Sequence, residues 1–332
     1  MIRLQDCDVV MPATLAEARS ALSVLGARIL GGGTDLIVSM KQGMSAPDRL
    51  VWLGKIAELR SITTANDGAL HIGAGCTLAQ IVASPTVRTM YPEVAAAANS
   101  VASPAIRTTA TIGGNLCLPT RCVFYDQSEF WRGALGGCIK LEVPAGENGD
   151  VCHAAPGRSM CSAIFSSDTA PILMALCAKV TIAGHDGMRT IPLKELYRDD
   201  GAGHLTLIRG EILTEVVLPA PAPGMVSAHR KIRARGSVDY PLANIGVAMK
   251  LDANNVSTRV HIFVGAIHSM PVELQRSMMV LEGNVLDDAN IARAVDQAAK
   301  GLHPIPNTNV TVGYRRKMIA ALLERALRAV RS

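Results

Sequence analysis

Four of the eight cysteines in this 332-residue chain, Cys122, Cys138, Cys152 and Cys161, fall within about forty residues. Spacers of 15, 13 and 8 residues separate them, in a stretch rich in glycine and turn residues. Four thiolates on an irregular wrapping loop are a ligand set for an iron–sulfur cluster or a structural zinc. In a reducing compartment such clusters bind metal or do redox work more often than they form disulfides. None of the spacings is the C-x2-C knuckle of structural zinc, so spacing by itself leaves iron–sulfur and zinc both open. Cys117 belongs to the preceding glycine turn and is set apart from the four. Cys7, Cys76 and Cys177 lie in apolar contexts that suit small core residues. His153 reads as a surface histidine or a group beside the thiols. Asp126 and Glu129 read as turn caps, and Tyr125, Phe130 and Trp131 as cover for the loop or as core.

Two glycine turns form the second constellation. "ILGGGTDL" places Gly31, Gly32 and Gly33 after a strand, and "TIGGNL" places Thr111, Gly113, Gly114 and Asn115 at another strand end. Glycine lets backbone approach a ligand closely, and successive free N–H groups make an anion-binding concavity. Either these are plain structural turns, or they are two halves of a dinucleotide cradle. In the cradle, Thr34 and Thr111 would donate to phosphate oxygens, while Asp35 and Asn115 would pin ribityl or ribose hydroxyls. The G-x-G-x-x-G spacing with a following helix is absent. No Ser–His–Asp, H-E-x-x-H or P-loop arrangement occurs.

The elements around these residues alternate. The first sixty residues read as βαββ, with "PATLAEARSAL" as the helix. "ALHIGAGCTLAQI" reads as strand then helix, "MYPEVAAAANSVAS" as helix, and "RTTATIGGNLC" as strand then turn. The region 118–162 lacks periodicity. "DTAPILMALCAKVTIAG" reads as helix then strand and "GEILTEVVLPAP" as strand. "PAPAPG" at 219–224 reads as a linker. "ANIGVAMKLD" and "TRVHIFVGAIH" follow as paired strands, and helices close the chain. The last of these carries Arg315, Arg316, Lys317, Arg325, Arg328 and Arg331 opposite Leu322, Leu323, Ala326, Leu327 and Val330. That pattern reads as a solvated basic face, or as a docking helix for an acidic partner. Hydrophobic residues are 49% and charged ones 18%, enough apolar content for a large core. A net charge of +5 with only 3% aromatics gives no nucleic-acid signature. Without a membrane-length apolar run or a signal-like N-terminus, the expectation is a soluble, cytoplasmic protein.

"GGGTDL", "GAGCTL", "TIGGNL", "SDTAP" and "KIRARGSVDYPLA" occur in this order with suitable gaps. On these motifs the whole chain resembles the FAD-binding subunit of the molybdenum hydroxylases, the xanthine oxidase family. The resemblance implies an α+β chain with a vanillyl-alcohol-oxidase type FAD-binding domain in two subdomains, 1–57 and 58–218. A C-terminal α+β domain as in carbon monoxide dehydrogenase flavoproteins would occupy 219–332. It implies that Leu30, Gly31, Gly32, Gly33, Thr34, Asp35 and Leu36 hold the FAD pyrophosphate. Thr111, Gly114 and Asn115 would form the second turn of the cradle, and Val101 and Ala102 would lie against the cofactor. Asp168 would hydrogen-bond it and Leu213 would pack on it. Lys231 would place a cation beside the flavin, favouring its reduced anionic form. The plain alternatives are a helix N-cap for Asp168 and a solvated surface lysine for Lys231.

Against that family's pattern, the stretch between "GGN" and "SDTAP" carries about forty extra residues, and these hold the four cysteines. A loop inserted beside a flavin gains a redox function from iron and sulfur but only rigidity from zinc. A 4Fe–4S cluster on Cys122, Cys138, Cys152 and Cys161 is therefore the expectation. "NLCLPTRCVFYDQSEFWRGALGGCIK" is further similar to the flavin subunits of 4-hydroxybenzoyl-CoA reductases, although "LEVPAGENGD" makes the loop longer. That similarity implies a large molybdopterin-binding subunit, a small 2Fe–2S subunit, a dimer of heterotrimers, and ferredoxin as electron carrier. The substrate chemistry, reductive dehydroxylation of an aromatic acyl-CoA, would lie on the molybdenum subunit. Two alternatives stand beside it. One is a flavin subunit of an oxidising aldehyde or N-heterocycle dehydrogenase, the other a stand-alone flavin module with structural zinc.

Overall fold

A computed structural model describes residues 4–141, 151–306 and 310–331. The chain builds three sheets in sequence. The first is parallel, with β1 (Asp8–Val10), β2 (Ala27–Leu30) and β3 (Arg49–Trp52) in the order β1-β3-β2. Its crossover helix, Leu15–Leu22, starts where the Thr14 hydroxyl accepts the Glu17 N–H at 3.2 Å. Ala18 and Leu22 on its inner face pack with Val51, Leu53, Ile56 and Leu59. The glycine turn after β2 leads into the helix Leu36–Lys41, which decides between the strand and the helix that the sequence left open there.

The second sheet is antiparallel: β4 (Ile62–Thr64), β5 (Leu70–Gly73), β6 (Lys179–Gly184), β7 (Gly187–Pro192) and β8 (Ile212–Leu218), ordered β4-β5-β8-β6-β7. Residues more than a hundred apart thus become neighbours, such as Ile72 and Val216. Helices Leu78–Ala83, Pro92–Ser100 and Ala170–Ala175 share its core. Thr77 and Gln80 form a reciprocal capping box that fixes the start of the first of these. "TIGGNL" is itself a short helix, Ile112–Leu116, entered through the Thr111 hydroxyl, not the strand-end turn expected.

The third sheet is an antiparallel meander of β9 (Met225–Ile232), β10 (Ala243–Leu251), β11 (Ser257–Gly265) and β12 (Val272–Glu273). Helices Asp288–Gly301 and Val312–Arg331 bury their apolar faces on it. Gly246 of β10 joins it to the second part: a Cβ there would stand 2.5 Å from the Ile172 backbone, so only glycine admits the helix Ala170–Ala175. The C-terminal helix corrects one expectation. Arg315 is not on a solvated basic face but 1% exposed. Its guanidinium donates to the carbonyls of Leu242, Ile305 and Ala266, and burial pulls its pKa down to about 10. Arg328 and Arg331 pair with Asp288, while Lys317 and Arg325 remain exposed. Leu322, Leu323, Ala326, Leu327 and Val330 are core residues. Among the described residues no helix is long and apolar enough to cross a membrane.

Candidate functional site

The two glycine turns pack on one another. A Cβ on Gly32 would lie 1.9 Å from the Thr109 carbonyl oxygen, and one on Gly31 would lie 2.9 Å from the Thr111 hydroxyl. Gly33 adopts φ +73°, the left-handed region that favours glycine. Backbone bonds fix the second turn from below: Ile112 N–H donates to the Cys76 carbonyl at 3.0 Å and Gly113 N–H to that of Ala74 at 2.9 Å. The turns therefore form one paired feature, with Leu30, Thr34 and Leu36 half-buried along it. Asn115 is buried, and its side-chain oxygen accepts from the Ser167 and Thr169 hydroxyls, both at 2.7 Å. That ties the second turn to the "SDTAP" segment; the oxygen expected to pin a sugar hydroxyl is used inside the protein.

Asp168 and Lys231 meet next to this tie. Their side chains are 4% and 5% exposed, 2.8 Å apart. Lys231 also donates to the carbonyls of Ser100 at 3.0 Å and Asp239 at 3.2 Å. Burial pushes the Asp168 carboxyl up to about 6 and the Lys231 ammonium down, while their mutual attraction opposes both. Neither plain alternative holds. Lys231 is not a surface lysine, and the helix Ala170–Ala175 takes its cap bond from the Ser167 hydroxyl, which accepts the Ala170 N–H at 3.1 Å. Cations and donors also converge on Val101 and Ala102. Arg233 donates to the Ser100 carbonyl, Arg107 to that of Val101, and Ser237 and the Val238 N–H to that of Ala102. Ala102 itself sits at φ 42°, unusual for a residue with a Cβ. Leu213 lies in β8 within the same core.

The cysteine loop forms a lobe with little regular structure: one short helix, Glu129–Ala134, and an isolated bridge between Arg121 and Ile164. Cys122, Cys138, Cys152 and Cys161 are all buried and free. Cys122, Cys152 and Cys161 share one apolar cluster with Ile164 and Ile305. Burial raises the thiols of Cys122 and Cys161, the latter to about 11, and Cys138 and Cys152 add to both shifts, so the four form one neighbourhood. Among the described residues no three His, Cys, Asp or Glu side chains are arranged to hold a metal ion.

Charged donors hold the lobe's backbone. Arg132, buried, donates to the carbonyls of Tyr125 and Gln127, and Lys140 donates to the carbonyl and the hydroxyl of Thr120. Both cations face the Tyr125 ring, at 5.4 and 4.7 Å. His153 Nε2 lies 2.9 Å from the Gly137 carbonyl, which accounts for this histidine without a metal. Cys117 packs against the main core, away from the four, and burial raises it to about 12.

Two expectations fail here. Phe130 is 87% exposed and Trp131 also faces solvent, so neither shields the thiols. Ser128 caps the helix, and the Asp126 carboxyl bonds the Cys122 backbone in the turn before it. Cys177 is exposed, not a core residue. The polar stretch 142–150 lies outside the described residues.

Residues 5–221 match the family described as the FAD binding domain in molybdopterin dehydrogenase. The chain belongs to that family. Residues 228–330 of this flavin subunit match the carbon monoxide dehydrogenase flavoprotein C-terminal domain. It is 33% identical over 250 residues to the aldehyde oxidoreductase FAD-binding subunit PaoB of Escherichia coli K12, covering 73% of this chain and 76% of that one. It is 26% identical over 323 residues to the carbon monoxide dehydrogenase medium chain of Hydrogenophaga pseudoflava, covering 96% and 94%. The solved carbon monoxide dehydrogenase from that organism superimposes with a TM-score of 0.79 at 21% identity, covering 99% of this chain and 98% of that one. The α+β fold read from the motifs is the fold observed, and the protein is an oxidoreductase subunit.

An FAD-binding chain fits what the turns offer: glycines where a Cβ would strike backbone, and a buried carboxylate oxygen, Asp35 Oδ2, without a hydrogen-bond partner. Sequence reasoning missed two residues that meet Asp35 of the first turn, Arg121 and Tyr240. Asp35 makes no cap bond to its helix; its Oδ1 instead pairs with Arg121 and accepts from the Tyr240 hydroxyl at 2.7 Å. Arg121 donates to that hydroxyl at 2.6 Å and lies over the Tyr240 ring at 4.0 Å. Both had stood in plain view, Tyr240 in "SVDYPLA" and Arg121 directly before Cys122.

Proposed function

We propose that this chain is the FAD and 4Fe–4S electron-transfer subunit of a molybdenum hydroxylase complex that oxidises an aldehyde-class substrate. The proposed division is 1–57, 58–218 and 219–332. The observation that carries it is the lobe: four buried, unpaired cysteines, grouped on a segment whose first residue, Arg121, reaches the glycine turn. Leu30–Leu36 with Thr111, Gly114 and Asn115 would hold the pyrophosphate and sugar. Val101, Ala102, Leu213, Asp168 and Lys231 would line the rest of the cofactor. FAD supplies exchange between two-electron and one-electron carriers. The chain's own part is to orient and to exclude water. The buried Asp168–Lys231 pair and the carbonyls of Ser100, Val101 and Ala102 are fixed by donors before any cofactor arrives.

Cys122, Cys138, Cys152 and Cys161 would ligate the cluster as thiolates. Ligation would remove the protons that burial now holds on Cys122 and Cys161. A zinc ion would need sulfurs at about 2.3 Å from one centre.

Partners follow from the family: a large molybdopterin subunit and a small 2Fe–2S subunit. The aldehyde oxidoreductase relative favours the oxidising direction, in which water and aldehyde yield carboxylate, with protons released to solvent and two electrons leaving through this chain. The text of the cysteine loop favours the other reading, a 4-hydroxybenzoyl-CoA reductase fed by ferredoxin. Product analysis on the anaerobically purified complex separates them: carboxylate from aldehyde in the first case, dehydroxylated acyl-CoA in the second. The isolated chain should carry flavin and about four irons. Cys122→Ser should lose the iron and keep the flavin. A yellow chain with no iron would end the cluster reading.

A further inference from the structure

An acidic residue inside a cradle for a pyrophosphate is an electrostatic contradiction. Asp35 sits in the first glycine turn, its side chain only 14% exposed, where a carboxylate would repel the cofactor's phosphates across a poorly screened gap. The structure resolves this with Arg121, whose guanidinium pairs with Asp35 Oδ1. Three contacts place that cation. Its backbone exchanges two hydrogen bonds with Ile164, both 2.7 Å. Its guanidinium stacks on Tyr240 at 4.0 Å and donates to the Tyr240 hydroxyl, which in turn donates to the same Asp35 oxygen. Asp35 Oδ2 is buried with no hydrogen-bond partner, so the carboxylate keeps one acceptor to offer. The N-terminal turn, the cysteine lobe and the C-terminal segment meet at this one charge.

We propose that Arg121 is a positioning residue for FAD: it neutralises Asp35, so that Asp35 accepts a cofactor hydroxyl without repelling the pyrophosphate. The inference rests on the first turn holding the pyrophosphate, as proposed above, and needs no iron in the lobe. A consequence is that flavin affinity depends on a residue the lobe supplies, although the glycine turns lie outside the lobe.

The test is FAD affinity of the full chain, stripped of flavin and titrated with FAD. Arg121→Met should weaken binding about tenfold or more, the size of one uncompensated carboxylate facing an anion at short range. Arg121→Lys, which keeps the charge, should recover most of the loss. The double variant Arg121→Met with Asp35→Asn should bind nearly as well as the parent, because the repelling charge is gone. The Arg121→Met deficit should also shrink as salt is raised, which a purely structural defect would not do. Unchanged affinity in Arg121→Met, or a double variant as weak as the single one, would overturn the proposal. If the parent chain takes up no FAD, the cofactor reading beneath it fails instead, so the two failures are told apart.

Discussion

The glycine cradle and the cysteine lobe are neighbours built by opposite means. In the cradle, backbone does the positioning. Parallel strands, capped helices and a Thr109–Gly32 approach too tight for any side chain set the turns before a ligand arrives. The lobe has little ladder of its own, and long cationic side chains reach in to satisfy its carbonyls: Arg132 to Tyr125 and Gln127, Lys140 to Thr120. A backbone-built site fails when an atom is added. A site braced by side chains fails when a charge is removed.

Adding a side chain at a glycine should therefore have opposite signs in the two regions, and this gives the largest expected effect. Gly32→Val drives a side chain into the Thr109–Ala110 backbone. It should cost about 4 kcal/mol or more and abolish flavin uptake, read by thermal unfolding and by absorbance. Gly133→Ala, in the lobe helix where an added Cβ meets nothing within 4 Å, should instead stabilise by about 0.5–1 kcal/mol. A tolerated Gly32→Val would end the comparison.

Next in size is Lys231→Met, which strands the buried Asp168 carboxylate. The expected loss is about 3–5 kcal/mol, with weakened flavin binding. Adding Asp168→Asn should return part of it. Chemical denaturation of the three variants measures both.

A smaller and more local loss should follow Arg132→Met. It leaves the Tyr125 and Gln127 carbonyls without this donor, at about 1–3 kcal/mol. Protease cutting within the lobe should accelerate while flavin content stays constant. Loss of flavin here would mean that cradle and lobe unfold as one unit.

The smallest effect sits at the lobe's far side. The His268 imidazole, 3.8 Å from one oxygen, and Arg158, paired with the other at 2.7 Å, hold Asp199 down at about 2. A carboxyl depressed in the folded state contributes stability that is complete above its unfolded value of about 3.9 and is lost as pH falls through the folded one. Parent and Asp199→Asn should differ by less than about 1 kcal/mol, since Asp199 is partly solvated. That difference should be constant above about pH 5 and vanish toward pH 2. A gap that persisted in acid would assign Asp199 a role other than charge.

Much of this was legible in the chain because it is written locally. Thr14 announces the helix it caps. The four cysteines announce themselves by density, and "PAPAPG" marks the break before β9. Where local reading failed, a distant partner had overruled it. Arg315 looked like part of a basic face because nothing nearby in sequence says that three carbonyls from Leu242, Ala266 and Ile305 await it. Phe130 and Trp131 looked like cover because aromatics usually are, yet the short helix that carries them turns its Arg132 inward instead.

The sequence by itself determined the kinds of group available: two glycine turns, four clustered cysteines, and a family order of motifs. Their types follow from steric freedom and metal affinity, which belong to each residue. Only the tertiary structure decided which charges would meet. Asp168 with Lys231 and Asp35 with Arg121 are pairs between residues 63 and 86 positions apart. Such pairs form because folding removes water from both partners at once, and a buried charge is tolerated only where its opposite has been buried beside it.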